Sequence, residues 1–156
     1  MPIYMKFDGI DGEVTAKGHE KWIEVLSWSW GETNASSVGS GGGGGTGKVS
    51  FQDLHFVQDS QASSPLLLKA CATGKHIATA LLTFIKGESQ PQPNEYLKIK
   101  MEDVLISSFQ AGGSEGANND TPSESISLNF QKIEWSYTRA GDTTPIVFAF
   151  DISANR

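Results

Sequence analysis

Cysteine is almost missing from this chain. Cys71 stands alone among 156 residues, which excludes an internal disulfide and any cysteine-built zinc cluster. Long apolar runs are also wanting. The longest, Ile77 to Ile85, is nine residues long and includes two threonines, whereas a membrane-crossing helix needs about 20. The opening segment, Met1 to Asp8, lacks the apolar stretch of a cleavable secretory signal, so the chain reads as a soluble protein made in the cytosol. Positive charge is scarce: 12 Lys and Arg against 18 Asp and Glu give a net charge of −6 and a pI near 5.0. An acidic surface repels phosphate backbones and anionic lipid, so neither nucleic acid nor a membrane is an expected partner.

Catalytic frames are missing as well. His19, His55 and His76 are scattered and show no H-x-E or H-E-x-x-H spacing. There is no G-x-S-x-G elbow, and no carboxylate pair stands in a recognisable frame. Asp8 to Glu13 hints at a calcium loop but lacks its twelve-residue spacing and closing Glu, and reads as turn residues between two strands. Gly42 to Lys48 nearly matches the phosphate-binding G-x-x-x-x-G-K-[ST] pattern. Val49 stands where the magnesium-binding hydroxyl belongs, however, and a strand follows where a helix should, so the run reads as a loop. Cys71 reads as a small buried hydrophobe, and His76 as a cation complementing a helix end. No cofactor, metal or catalytic residue is expected, and the chain is not read as an enzyme.

What is present is the composition of a globular domain: 38% hydrophobic, 10% aromatic and 19% charged residues. Residues 1–156 are expected to form one domain. Of 17 glycines, eight fall between Gly31 and Gly47, five of them consecutive, so 31–47 is a long loop. Two further loops are expected over 110–123 and 87–94. Between the loops the apolar period is two. Trp22 to Trp30 puts Leu26, Trp28 and Trp30 on one face, with Ser27 and Ser29 on the other. Three later segments alternate and then change phase: Val49 and Phe51 give way to Leu54 and Phe56. Likewise Leu97, Ile99 and Met101 give way to Val104 and Ile106, and Ile126, Leu128 and Phe130 to Ile133, Trp135 and Tyr137. A phase flip means an extra residue, hence a bulge or bend, and bent strands can serve two layers. Ile146 to Ile152 alternates with Phe148 and Phe150 inward.

One helix is expected over about 64–73, with Ser64 as N-cap, Pro65 in the first position and Gly74 closing it. The fold class is therefore mainly β: a bent-strand β-barrel, or two packed antiparallel sheets, with one short α-helix. Several strands carry apolar residues on both faces. Ile23 and Val25 oppose Leu26 and Trp28, and Leu81 and Ile85 oppose Leu82 and Phe84. One barrel covers one face of a strand, so a neighbouring subunit is expected to cover the rest. The face of Ser27 and Ser29 is small and polar, suited to solvent or to a lumen. Four tryptophans also allow a different class, a β-sandwich carbohydrate-binding module, although Trp28 and Trp30 read better as core.

Several of these pieces together resemble a known family. Trp28-Ser-Trp-Gly31 comes first, then Gly43-Gly-Gly-Thr-Gly-Lys-Val49 and Asp53-Leu54 with Phe56. Ser64-Pro65, Cys71 and Gly74-Lys-His76 follow, then Tyr96-Leu97, Asp103 and Leu128-Asn-Phe130. In this order they resemble the haemolysin-coregulated proteins, tube subunits of the bacterial type VI secretion system, from about Phe7 to Ile152. The ending Phe148-Ala-Phe-Asp departs from the family's Tyr-Gly-Trp-Asp, and the segment before Ser64 is less basic than is usual there.

The resemblance implies a β-barrel with one helix, homohexameric rings, and stacking of the rings into a hollow tube. It implies contractile sheath proteins around the tube, a spike trimer at its tip, and small effector proteins carried in the lumen. It also implies a chain that waits in the bacterial cytoplasm and is then delivered, without a cleavable signal peptide, into the medium or a target cell. A phage-type tail tube subunit would share this architecture. On the family reading, Ser29 and Ser27 face the lumen and its effector. The loop from Glu32 to Gly47 becomes a ring-stacking contact, with Glu32, Ser40, Gly42, Gly43, Gly44, Thr46 and the adjoining Lys48 as its residues. Its glycines make ordering costly, about 1 kcal/mol or more per residue, so each contact is weak and only repetition around a ring makes the sum useful.

Overall fold

Two-residue alternation becomes strand along most of the chain. The computed structural model describes residues 1–34, 49–86, 94–115, 121–154 and 156. The strands are β1 (Ile3–Phe7), β2 (Ile23–Glu24), β3 (Ser27–Ser29), β4 (Glu32–Asn34), β5 (Val49–Phe51) and β6 (Leu54–Asp59). Helix α1 (Ser64–Thr73) follows, then β7 (His76–Lys86), β8 (Asn94–Gly112), β9 (Ser123–Asn129), β10 (Lys132–Tyr137) and β11 (Ile146–Asp151). Every pairing between these strands is antiparallel. Nine strands form one sheet in the order β2-β1-β7-β8-β9-β6-β3, with β10 on β8 and β11 on β10; β4 and β5 form a second, two-stranded sheet. The mainly-β expectation holds in its two-sheet form. Among the described residues no closed barrel forms, because the sheet's two ends, β2 and β3, are joined by the chain at Val25–Leu26 and not by a ladder.

The phase flips lie where the strands bend or change sheet. Strand β8 runs unbroken for 19 residues, and its flip falls at Asp103, which takes a left-handed φ of 53°. One side chain is thereby passed over, and Val104 and Ile106 return to the core. Strand β10 pairs with β8 before this bend, β7 pairs with it through the bend as far as Leu105, and β9 takes over from Leu105 to Gly112. Leu128 and Ile133 are likewise separated by a break at Phe130–Gln131. The third flip, at Gln52–Asp53, separates β5 from β6, which belong to different sheets.

The core between the layers is built from Met5, Phe7, Ile23, Leu54, Phe56, Leu82, Phe84, Ile99, Met101 and Ile126, all essentially sealed from solvent, with Leu67 of α1 among them. Trp28 and Trp30 pack against it half-buried, Trp28 edge-on to Phe84 at 5.0 Å and Trp30 stacked on Phe51 at 5.9 Å.

Three local expectations are corrected. Leu26 does not share the inward face of Trp28; it is 50% exposed, because the chain turns between β2 and β3 and the phase shifts there. For the same reason Ile23 and Val25 are buried by their own chain, as is Ile85 beside the register shift at Phe84/Ile85, so none of the three needs a neighbour to cover it. Phe148 is 56% exposed on the edge strand β11, while Phe150 packs inward on Phe51 at 5.2 Å.

The helix has Pro65 at its start and Gly74 at its end in the left-handed conformation, φ 67°. Its N-cap is Ser63 rather than Ser64. The Ser64 hydroxyl is instead committed to Glu124, 2.6 Å away, within a buried network that also takes in Gln58 and Ser60. This network ties α1 to β6 and β9. A second one pins the segment before β2: buried His19 contacts Glu95 through Nε2 at 2.6 Å, and Lys98 meets the same carboxylate at 2.8 Å. Burial pushes the Glu95 carboxyl up, but the hydrogen bonds from Lys98 and His19 outweigh it and hold the group below the usual carboxylate range.

Candidate functional site

Alternation along β3 sends Trp28 toward the core and leaves Ser27 and Ser29 exposed on the other face. Register carries that polar face across three more strands. Ser29 lies opposite His55, His55 opposite Ser127, and Ser127 opposite Ser108. A second row runs Ser27, Val57, Ser125, Gln110. The four-stranded part of the sheet, β3-β6-β9 and the far half of β8, therefore carries hydroxyls, one imidazole, one amide and one valine. His55 Nδ1 is hydrogen-bonded to Ser127 Oγ at 2.5 Å. At one border the Asp53 carboxylate accepts from Ser107 Oγ at 2.6 Å and Asn129 Nδ2 at 3.1 Å.

The sequence pointed to Ser27 and Ser29 and missed His55, Ser125, Ser127 and Gln110. The signal was there. Ser123, Ser125 and Ser127 alternate with Ile126 and Leu128 just as Ser27 and Ser29 alternate with Trp28.

The sheet's two margins are also distinctive. Among the described residues, strand β3 has a ladder partner only in β6, and beyond Leu105 strand β8 has one only in β9. Each end of the polar sheet thus keeps one edge of backbone donors and acceptors with no described strand beside it.

The expected long loop begins later than its sequence suggests. Glu32 lies in β4 opposite Phe51, and with Thr33 and Asn34 forms a two-stranded stem against β5. Ser40, Gly42, Gly43, Gly44, Thr46 and Lys48 lie outside the described residues, as does the phosphate-loop-like run.

Other sites offer little chemistry. A cleft of about 230 Å³ on the opposite layer is lined by Lys100, Glu102, Lys132, Glu134, Asp151 and Arg156 among others. The ion pairs Lys100–Glu102 and Lys132–Asp151 already engage four of these six charges. His76 pairs with Asp103 at 2.6 Å at the start of β7 instead of serving the helix end. Cys71 is half-buried against the core. Among the described residues no group of three or more His, Cys, Asp or Glu could hold a metal ion, and no helix is long and apolar enough to cross a membrane. All four tryptophans are half-buried, so none forms an open platform for a sugar.

Comparison with known proteins decides what this arrangement belongs to. The family model described as "Type VI secretion system effector, Hcp" matches residues 4–137. The chain belongs to the Hcp family. Protein hcp1 of Pseudomonas aeruginosa is 39% identical over 158 aligned positions, covering 98% of this chain and 96% of that protein. Among solved structures, Hcp1 from Salmonella typhimurium is 35% identical with a TM-score of 0.83, covering 99% of this chain and 97% of its own. A type VI secretion system effector from Yersinia pestis is 30% identical with a TM-score of 0.78, covering 96% and 98%. Hcp membership makes the chain a β-rich tube and effector protein of the type VI secretion system, and the sheet just described is its candidate working surface.

Proposed function

We propose that the chain is a structural subunit of the type VI secretion inner tube. Copies close into a ring, six on the family pattern, and the rings stack into a hollow tube. A contractile sheath drives the tube, a spike trimer caps it, and small effectors travel in its lumen from the donor cytoplasm into the medium or a target cell. The role is mechanical and carrying, not catalytic.

The observation that carries this reading is the four-stranded polar sheet with a one-sided strand at each margin. A head-to-tail contact between β3 of one copy and the far half of β8 in the next would satisfy both margins. It would also repeat the same join around a closed ring. The continuous wall so formed would turn Ser27, Ser29, His55 and Ser127 toward the axis and the apolar faces into the subunit cores. Ser27 and Ser29 are then lumenal, and the loop from Glu32 to Gly47, with the adjoining Lys48, is the ring-to-ring contact.

Electron microscopy and sedimentation of the purified protein test the assembly: rings are expected, and a 16.8 kDa monomer at micromolar concentration would overturn it. Ser29→Arg should leave the ring intact and release a co-purifying effector. Replacing Glu32 to Gly47 by an Asn-Gly turn should preserve the ring and abolish tube formation and secretion. Loss of the ring itself would assign that segment to lateral packing.

A further inference from the structure

Charge is distributed unevenly between the two layers. None of the 12 Lys and Arg falls in β3, β6, β9 or the 105–112 part of β8, whereas Asp53, Asp59 and Glu124 lie in or beside these strands. Cations are placed on the other layer, at Lys6, Lys86, Lys98, Lys100 and Lys132. Glu124 is turned into the core, and its oxygens accept from the neutral Gln58, Ser60 and Ser64. Asp53 is held by the neutral Ser107 and Asn129. No Lys or Arg is among these partners of Glu124 and Asp53, so no opposite charge is paired with either carboxylate there. Asp53 and Asp59 stand at opposite ends of β6, about 20 Å apart along an extended strand. Between them lie only the hydroxyl, imidazole, amide and valine groups of the two central rows.

We infer that this face selects its cargo by charge. Its partner is a small folded protein with a basic contacting surface, drawn to the Asp53 and Asp59 levels and held by hydrogen bonds to the serine rows between them. The inference rests on the lumenal reading proposed above. In a closed ring the two acidic levels repeat around the wall, and a concave, low-dielectric surface focuses a field of one sign. Acidic proteins and nucleic acids would be turned away. The serine rows add directional contacts without a broad apolar grip, which suits a cargo that must later leave.

The test uses purified rings with cytochrome c, a small basic protein, and its succinylated, acidic form as probes in co-sedimentation. The basic form should be retained at least about tenfold better at low ionic strength, with the preference lost at about 0.5 M salt, where screening acts within a few Å. Val57→Lys, at the centre of the face, should abolish most of the preference, and Asp59→Asn should reduce it, both with ring size unchanged. Location is read by a photocrosslinker on Ser125→Cys, on this face, or Ser136→Cys, on the other layer, each in a Cys71→Ser background. Equal retention of both probes with crosslinking at 125 would refute charge selection and leave the lumenal reading standing. Retention that crosslinks at 136 and not at 125 would remove the lumenal reading and the inference with it. No retention by verified rings, or a preference untouched by both charge variants, would also overturn the inference.

Discussion

Ser64 and Glu124 meet across 60 residues of sequence, the Ser64 hydroxyl donating to Glu124 Oε1 at 2.6 Å. The contact joins the first residue of the only helix among the described residues to an inner position of β9. It also explains why Ser64 does not cap the helix: its oxygen is already engaged in a site where an unmet carboxylate would be costly.

Removing that carboxylate should therefore cost more than a single hydrogen bond. Glu124→Ala leaves the buried Gln58 and Ser64 donors and the half-buried Ser60 without this acceptor, an expected loss of about 3 kcal/mol or more in denaturant unfolding. Glu124→Gln keeps the shape and part of the network and should lose less. An alanine variant within 1 kcal/mol of the parent, on the scale of an ordinary exposed contact, would show that the network contributes little.

Glu95 gives a pH dependence with a definite sign. Its folded carboxyl is held below the usual range by Lys98 and His19 against the opposing effect of burial. The pairing therefore stabilises the fold above the ordinary carboxylate range, and the contribution disappears as pH falls through the lowered value. Unfolding midpoints measured from neutral to acid pH should fall, and Glu95→Gln should flatten part of that slope. Parallel curves for the two proteins would count against the assignment.

Asp103 separates backbone from charge. Its φ of 53° suits Asp, Asn or Gly but places a β-branched residue under strain, so Asp103→Val should cost about 1–2 kcal/mol. Asp103→Asn loses only an exposed pair with His76 and should stay within about 0.5 kcal/mol of the parent. Thermal melts of the two variants should differ accordingly; equal melting temperatures would argue that the bend does not depend on this conformation.

Gly12 tests close packing. A Cβ there would lie 2.4 Å from the Trp22 carbonyl oxygen and 2.7 Å from Ile23 Cγ1, and the backbone oxygen cannot rotate away. Gly12→Ala should destabilise by about 1–3 kcal/mol, as overpacking does, read from a thermal melt. A neutral substitution would mean that the 11–22 segment shifts freely.

Much of this was legible in the sequence because it follows from alternation. The three phase flips located the bend of β8 at Asp103, the β9–β10 break and the change of sheet after β5. Gly74 marked the helix end, since a left-handed C-cap favours that residue. What alternation could not supply was partners. Leu26 looks inward by parity, but a turn between two short strands puts it outside. Phe148 sits on an edge strand, where the layer that would cover it has ended. Ser64 resembles a cap, and only the distant Glu124 explains why it is not one. The polar face was half read: the serines beside Trp28 stood out, while His55 and the β9 serines needed the register that brings separate strands together.

The unbroken run of β8 has a mechanical meaning. Asn94–Gly112 is a single covalent strand shared by both layers, so one layer cannot slide over the other without pulling on its backbone. The compliant motion left to the subunit is a change of angle at Asp103. A load that shears one layer past the other would therefore be carried first by covalent bonds and relieved by flexing at that bend.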